Sequence, residues 1–225
     1  MTLSIDEITD GVFHIETETQ YEIASTFVRV QEFYESSFKG IRGCFFTHEQ
    51  YMDAYAQFEE NNQFTYFDET IGFNVPGKAF NKWVKLFSKH DLWEKEQDLI
   101  DLIDDTLETK TDKFYLIGTY TKSDDKGVID HELSHAWYYL DPAYKRTMLK
   151  LVHKLPKAIK DQIGQHLKKE GYSPSVFNDE IIAYMATNPM TYTADMIKSK
   201  IPWNKVLEFQ ITFNEFKDEK IDEDN

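Results

Sequence analysis

The stretch Val128-Ile129-Asp130-His131-Glu132-Leu133-Ser134-His135-Ala136-Trp137 decides how the rest of the chain is interpreted. It contains the pattern His-Glu-x-x-His, and residues four apart on an α-helix lie one above the other on the same face. His131 and His135 can therefore direct two imidazole nitrogens at one tetrahedral metal ion. Glu132, one position further round the helix, would reach the water on the open side of that ion. The spacing thus predicts a metal-binding helix, with Zn²⁺ as the ion.

The residues around this pattern resemble the longer consensus of the zinc peptidases. Val128 stands three residues before the first His, uncharged residues flank both His, and the segment ends in the hydrophobic Trp137. The resemblance implies a helix in the floor of a cleft, packed against protein on every side except the metal face. The alternative is a buried amphipathic helix whose two His only form hydrogen bonds. A core helix rarely carries two His and a Glu on one apolar face, which favours the metal site.

Two His do not hold a catalytic zinc, so a third protein ligand is needed, with water in the fourth position. One candidate is Asp141, six residues after His135, where some zinc peptidases carry His or Asp. Those families need Gly three residues after the second His, so that the helix can turn back sharply. This chain has Tyr138 there, which disfavours the left-handed backbone of such a turn. Asp141 is therefore the weaker candidate.

The stronger candidate is Glu180. The segment Asn178-Asp179-Glu180-Ile181-Ile182-Ala183-Tyr184 resembles the downstream helix from which the glutamate zincins (gluzincins) supply their third ligand. An unpaired carboxylate on this otherwise apolar helix would be costly, which favours a ligand role. Asp179 is a weaker substitute. Those enzymes often place Asp four residues after the ligand Glu to orient the first His, whereas this chain has Tyr184. The orienting group is then expected elsewhere, and Asp130 and Asp141 are possible suppliers.

The resemblance implies a zinc-dependent hydrolase, most directly a metallopeptidase that acts on a peptide or protein substrate. In this interpretation Glu132 takes a proton from the zinc-bound water and passes it to the leaving amine. The tetrahedral oxyanion needs a further donor, for which Tyr184, His153 and His166 are candidates; Tyr184 is assigned as catalytic. The alternatives are an inactive zincin-fold binding or inhibitor protein and a zinc hydrolase of a non-peptide amide. A retained Glu132 disfavours the inactive protein, because a structural zinc site has no use for a base.

Composition sets broader limits. The 225 residues, 41% of them hydrophobic, are enough for one sizeable core or two small lobes. A net charge of −15 opposes non-specific binding to nucleic acid. The first residues have no basic start or apolar core, and no apolar run is long enough to cross a bilayer. The single cysteine, Cys44, fits a reducing compartment. The expectation is a soluble cytoplasmic protein with no nucleic-acid or membrane partner.

Hydrophobic periodicity predicts an α+β fold, in which a small, mostly antiparallel sheet with the active-site helix is followed by a helical C-terminal lobe, as in zincins. The predicted strands are 11–19, 64–67, 71–75 and 114–120. The last strand is expected to border the cleft and offer its free edge to an extended substrate. Besides the motif helix, the predicted helices are 21–36, 47–60, 78–88, 91–107, two within 143–169 broken near Leu155-Pro156, 173–186 and 203–216.

Domain organisation follows from these elements. We expect an α+β lobe over 1–127, a helical lobe with the zinc-binding helices over 128–217, and a disordered acidic tail over 218–225, together forming a single compact domain. The predicted helices within 143–169 carry most of their charge as Lys and Arg. This is either a solvated face that balances acids elsewhere or a docking surface for an acidic partner.

Overall fold

The computed structural model describes six parts of the chain: residues 3–90, 92–107, 111–121, 126–169, 172–187 and 201–221. By its contacts the chain divides into two compact units, residues 1–125 and 126–225. The first unit contains a sheet and helices, and the described part of the second is helical. The α+β class and the helical C-terminal part are therefore confirmed.

The first unit contains one four-stranded sheet. Its strands are β1 (Ser4–Thr9), β2 (Val12–Thr17), β3 (Phe73–Pro76) and β4 (Tyr115–Tyr120), in the order β1-β2-β4-β3. β1 and β3 run antiparallel to their neighbours, whereas β2 and β4 run parallel. The sheet is therefore mixed, and β1 is a strand that the sequence did not predict.

The prediction that strand 114–120 offers a free edge is wrong. β4 is hydrogen-bonded to β2 on one side and to β3 on the other, so both of its backbone edges are occupied. The physical reason lies in its composition, since Leu116 and Ile117 are both fully buried. A continuous apolar run is typical of a central strand that is covered on both faces, not of an edge strand.

The described helices of the first unit are α1 (Gln20–Glu35), α2 (His48–Phe58), α3 (Tyr66–Glu69), α4 (Gly77–Phe87) and α5 (Glu94–Thr106). α1 and α4 pack against the sheet, and α3 and α5 pack against α1. The predicted capping box at Thr47 is confirmed, and Thr19 forms a second one at the start of α1. α1 crosses β4 closely because residue 118 is Gly; a Cβ there would lie 3.1 Å from the Phe27 ring. The predicted cap Asp91 lies outside the described residues, and Trp93 occupies the cap of α5.

The predicted strand over 64–67 is also wrong, because Tyr66–Glu69 forms the one-turn helix α3. Its aromatic residues suggested a strand from their β-propensity, which depends strongly on context. Here Tyr66 is buried, with its ring edge-on to Tyr51 at 5.4 Å. Packing against α2 therefore decides the local structure.

Charged side chains are buried in the first unit beside α1. The Arg29 guanidinium donates two hydrogen bonds to the Glu96 carboxylate, one of them from Nε to Oε1 at 2.6 Å. The His48 ring stacks on Trp93, and its Nε2 is 3.7 Å from Glu96 Oε1. Burial and the neighbouring Arg29 lower the pKa of His48 to about 3. His48 is thus a neutral residue of a buried network.

Glu32 is a second buried carboxyl of α1, and it accepts hydrogen bonds from Ser36, Tyr51 and Tyr66. Burial raises the pKa of Glu32 from 4.5 to about 6, although the hydrogen bonds act to lower it. The folded protein therefore binds a proton at Glu32 more tightly than the unfolded chain does. Its contribution to stability is fully present below pH 4.5 and is lost as the pH rises through about 6.

Glu32→Gln should remove this pH dependence. A difference between 4.5 and about 6 corresponds to about 2 kcal/mol of unfolding free energy. Chemical unfolding followed by circular dichroism between pH 4.5 and 7.5 would measure the free energy of wild type, of Glu32→Gln and of Glu94→Gln, an exposed control. Wild type and the control should lose stability relative to Glu32→Gln as the pH rises. Parallel profiles for all three proteins would contradict the assignment.

The described part of the second unit consists of helices α6 (Lys126–Leu140), α7 (Pro142–Lys154), α8 (Lys157–Lys169), α9 (Phe177–Thr187) and α10 (Trp203–Ile221). α9 packs against α6, α7, α8 and α10. The predicted ends at Asp141-Pro142 and Leu155-Pro156 are confirmed. α9 begins later than predicted, because residues 174–176 form a turn. None of the helices in the described part of the chain has the length and apolar composition needed to cross a membrane.

The last helix is longer than predicted. α10 continues to Ile221, so a disordered tail beginning at residue 218 is wrong for residues 218–221, and 222–225 lie outside the described residues. Two ion pairs hold its final turns. Lys217 Nζ lies 2.6 Å from Asp130 Oδ1, and Lys220 Nζ lies 2.8 Å from Asp141 Oδ2.

Candidate metal centre

The two histidines of α6 lie on one face of the helix, one turn apart. Their Nε2 atoms are 3.3 Å apart, and their ring planes meet at 79°. His135 is buried and His131 is half-buried. Two nitrogen atoms therefore converge on one point beside the helix.

Helix α9 brings a carboxylate to the same point. Glu180 Oε2 lies 3.8 Å from His135 Nε2, and the three ligand atoms of His131, His135 and Glu180 lie within 4.8 Å of one another. Glu180 is buried, as are Ala136 of α6 and Ala183 of α9, which add little side-chain bulk to the two helices. Close packing of α6 and α9 therefore places an oxygen atom beside the two nitrogens.

These distances fit a tetrahedral zinc ion. Nitrogen and oxygen ligands at their usual bond lengths lie about 3.3–3.6 Å apart around such an ion. The two Nε2 atoms already have this separation, and the Glu180 oxygen is a few tenths of an ångström too far from His135. The group as a whole spans up to 4.8 Å, so its widest pair has to close by about 1 Å around an ion. Two imidazoles and one carboxylate, with a fourth position left for water, also form a donor set typical of catalytic zinc. The residues present therefore fit the ion.

The outer nitrogen of each histidine lies close to an oxygen atom of α9. Asp179 Oδ1 lies 2.9 Å from His135 Nδ1. Thr187 Oγ1 lies 3.4 Å from His131 Nδ1 and donates its own proton to the Ala183 carbonyl at 2.8 Å, so its oxygen accepts from the imidazole. In the neutral form of each ring these oxygens favour a proton on Nδ1, which leaves the Nε2 lone pair directed at the centre.

Sequence reasoning missed both of these partners. It considered Asp179 only as a substitute ligand and did not consider Thr187. A signal was present, because Glu180, Tyr184 and Thr187 follow the i, i+4, i+7 spacing of one helix face. The residues proposed for this role are engaged elsewhere. Asp130 pairs with Lys217, and Asp141 caps α7 by accepting from the amide nitrogens of Ala143 and Tyr144 at 2.6 and 3.1 Å.

The two histidines have opposite electrostatic environments. Burial and the neighbouring His135 lower the pKa of His131 well below its usual range. At His135 burial also acts to lower the pKa, but the carboxylates of Asp179, Glu180 and Glu132 outweigh it and hold the pKa well above that range. Three carboxylates therefore favour positive charge at His135. A divalent cation between the ligand atoms would supply that charge.

Glu132 is buried on α6, next to the first ligand candidate in the sequence. It does not belong to the group of close ligand atoms, but its charge acts on His135. Its charge therefore contributes to the electrostatic field at the candidate site.

Tyr184 lies beside the ligands. Its ring centroid is 4.6 Å from that of His131, and its hydroxyl is 3.3 Å from the Tyr172 hydroxyl. Its role as an oxyanion donor stays a prediction. Of the other proposed donors, His153 is exposed on α7 and His166 is half-buried on α8.

Asp179→Ala should weaken zinc binding without abolishing it. Loss of the carboxylate beside Nδ1 frees the His135 ring to rotate and to change tautomer, an effect of about 10- to 100-fold in metal affinity. Asp179→Asn should lose less, since its amide oxygen can still accept from Nδ1. Titration against a competing zinc chelator would measure the affinities, with the exposed Asp161→Ala as control. Wild-type affinity in Asp179→Ala would refute the orienting role.

Comparison with known proteins identifies no relative: no protein-family model, no curated protein and no solved structure matches the chain.

Proposed function

We propose that the protein is a zinc-dependent hydrolase, and most specifically a metallopeptidase of the gluzincin type. One observation carries the proposal: the ligand atoms of His131, His135 and Glu180 lie within 4.8 Å of one another, with the buried Glu132 next to the first of them in the chain. The order of the ligands, two from one helix and a glutamate from a later helix packed against it, resembles that of the glutamate zincins. We also propose that the described helices of the second unit have a zincin-like fold.

The site would hold zinc through His131 Nε2, His135 Nε2 and Glu180 Oε2. When bound, the ion supplies Lewis-acid polarisation of a substrate carbonyl and makes water a stronger nucleophile near neutral pH. Asp179 and Thr187 hold the two imidazoles in the tautomer that directs Nε2 inwards. The protein's own contribution to binding is therefore a set of ligands already oriented before the ion arrives.

Glu132 performs the proton transfers. Its carboxylate accepts a proton from the attacking water and delivers it to the leaving amine nitrogen when the C–N bond breaks. Burial of this carboxyl keeps bulk water away from the transferred proton and strengthens its electrostatic effect on the reacting atoms. Tyr184 is the candidate to donate a hydrogen bond to the developing oxyanion, because its ring lies 4.6 Å from that of His131.

A peptidase assay with metal removal and replacement tests this function. Zinc-loaded protein should hydrolyse a quenched fluorescent casein, should lose that activity on treatment with 1,10-phenanthroline, and should regain it when zinc is added back. A panel of short N-acyl amides run in parallel distinguishes peptide substrates from other amides. Tight zinc binding with no hydrolysis of any substrate in either panel would favour an inactive binding protein and overturn the proposal.

A further inference from the structure

Helices α7 and α8 carry a concentration of positive charge that the proposed chemistry does not use. Between Pro142 and Lys169 the sequence has eight Lys or Arg residues and a single acid, Asp161, in a chain whose net charge is −15. We call this stretch the basic segment. Its Lys and Arg residues are Lys145, Arg146, Lys150, Lys154, Lys157, Lys160, Lys168 and Lys169.

Most of these charges have no ion-pair partner in the described part of the chain. Lys157 pairs with Asp161 at 2.6 Å, and Lys154 acts on the carboxyl of Glu208. Five of the remaining side chains contact no aromatic ring and have no described carboxylate within ion-pair distance. They are Arg146, Lys150, Lys160, Lys168 and Lys169. Four of the five are exposed, and Lys160 is half-buried. Within the described residues, positive charge therefore stays without an ion-pair partner on one segment of an acidic chain.

The basic segment begins close to the candidate metal centre. Lys145 Nζ lies 4.1 Å from the centroid of the Tyr138 ring. Tyr138 belongs to α6, the helix that carries His131 and His135. Both helices of the segment also pack against α9, the helix that carries Glu180. The basic segment therefore touches the helix of the two histidines and packs against the helix of Glu180.

We propose that the basic segment docks an acidic stretch of the polypeptide on which the metal centre acts. The inference rests on the proposed function, because that function makes the substrate a peptide. Each helix of the segment has 13 residues and is therefore about 20 Å long, the span of about six residues of an extended peptide. A short run of Glu or Asp residues would match this length.

The surrounding charge favours a short acidic peptide over a longer polyanion. Attraction by the segment is screened beyond about 8 Å at physiological salt, so it acts locally. A nucleic-acid strand or an anionic membrane extends further and would meet the acids that dominate the rest of the chain, such as the exposed Glu215, Asp218 and Glu219 of α10.

The test uses a fluorescein-labelled decapeptide of alternating Glu and Gly. Zinc-loaded Glu132→Gln protein serves as the binding partner so that the probe stays intact. Fluorescence anisotropy should show binding that weakens as NaCl is raised. Replacement of Arg146, Lys150, Lys168 and Lys169 by Gln should weaken the affinity at least about 10-fold, since four unpaired charges are lost.

A matched control removes the same charge elsewhere. Lys78, Lys82, Lys85 and Lys89 are also four exposed residues, in or just after α4 of the first unit, and their replacement by Gln should leave the affinity within about 2-fold. Equal losses in both variants would overturn the proposal, as would an absence of binding by the parent protein. Tighter binding of a 20-nucleotide single strand or of phosphatidylserine vesicles at the same salt would overturn it as well. Zinc content measured on the same samples tests the proposed function separately. A failure of the docking proposal can therefore be told apart from a failure of the proposed function.

Discussion

Glu132→Gln should keep zinc and the fold but lose hydrolysis by about 10²- to 10⁴-fold, the range expected for removal of a general base. An amide of the same shape cannot take a proton from the attacking water. It should disturb packing little, because it retains the size of the buried glutamate. The loss should appear in kcat, since the proton transfer belongs to the transition state and not to substrate binding.

The measurement compares kcat and KM on a quenched peptide for wild type, Glu132→Gln and the exposed control Glu215→Gln. Zinc content and melting temperature are determined on the same preparations. The control should match wild type in all four quantities. A Glu132→Gln variant with full zinc and near wild-type turnover would show that another group is the base, and the proposed mechanism would be wrong.

Glu180→Ala should reduce zinc affinity by more than about 100-fold, beyond the loss expected when only an orienting residue is removed. Its carboxylate is the one oxygen in the close ligand group, so its removal leaves two imidazoles, which do not hold a catalytic zinc. Added zinc should therefore raise the melting temperature of wild type much more than that of this variant, because an ion that binds only the folded state stabilises it.

Asp141→Ala is the matched comparison, since Asp141 is the other carboxylate that the sequence offered as third ligand. In the structure it caps α7 and pairs with Lys220. Its loss should lower stability by about 1 kcal/mol through the missing cap but leave zinc affinity unchanged. The reverse pattern, with Asp141→Ala metal-free and Glu180→Ala fully loaded, would contradict the assignment of the third ligand.

The convergence of His131 and His135 could be predicted from sequence because helix geometry alone fixes the relation between residues four apart. Glu180 could be proposed because a buried carboxylate on an apolar helix needs a partner. The orienting residues were harder to find, since Asp179 is adjacent to Glu180 and looks like an alternative ligand. Only the packing of α9 on α6 shows that the two carboxylates lie on opposite sides of the His135 ring, Asp179 at Nδ1 and Glu180 at Nε2.

In the rest of the chain, local sequence patterns predicted where helices begin and end better than they predicted which elements pair or pack together. Thr47 marks the start of α2, and Leu155-Pro156 marks the break between α7 and α8. Both signals depend on interactions within a few residues, so both could be identified from the sequence. The edge of β4 could not, because pairing with β2 and β3 depends on residues far away in the chain. The same holds for α10, which extends past its predicted end at Phe216 and whose last turns pair with Asp130 and Asp141.

The metal content of the purified protein tests the central claim most directly. Multi-element mass spectrometry of wild type, of the His131→Ala/His135→Ala double variant and of His48→Ala would give the metal per chain. We expect about one zinc per chain in wild type and in His48→Ala, whose imidazole belongs to a buried network in the first unit, and none in the double variant. Full zinc occupancy in the double variant, or a wild-type protein that takes up no zinc when supplied with it, would contradict the account.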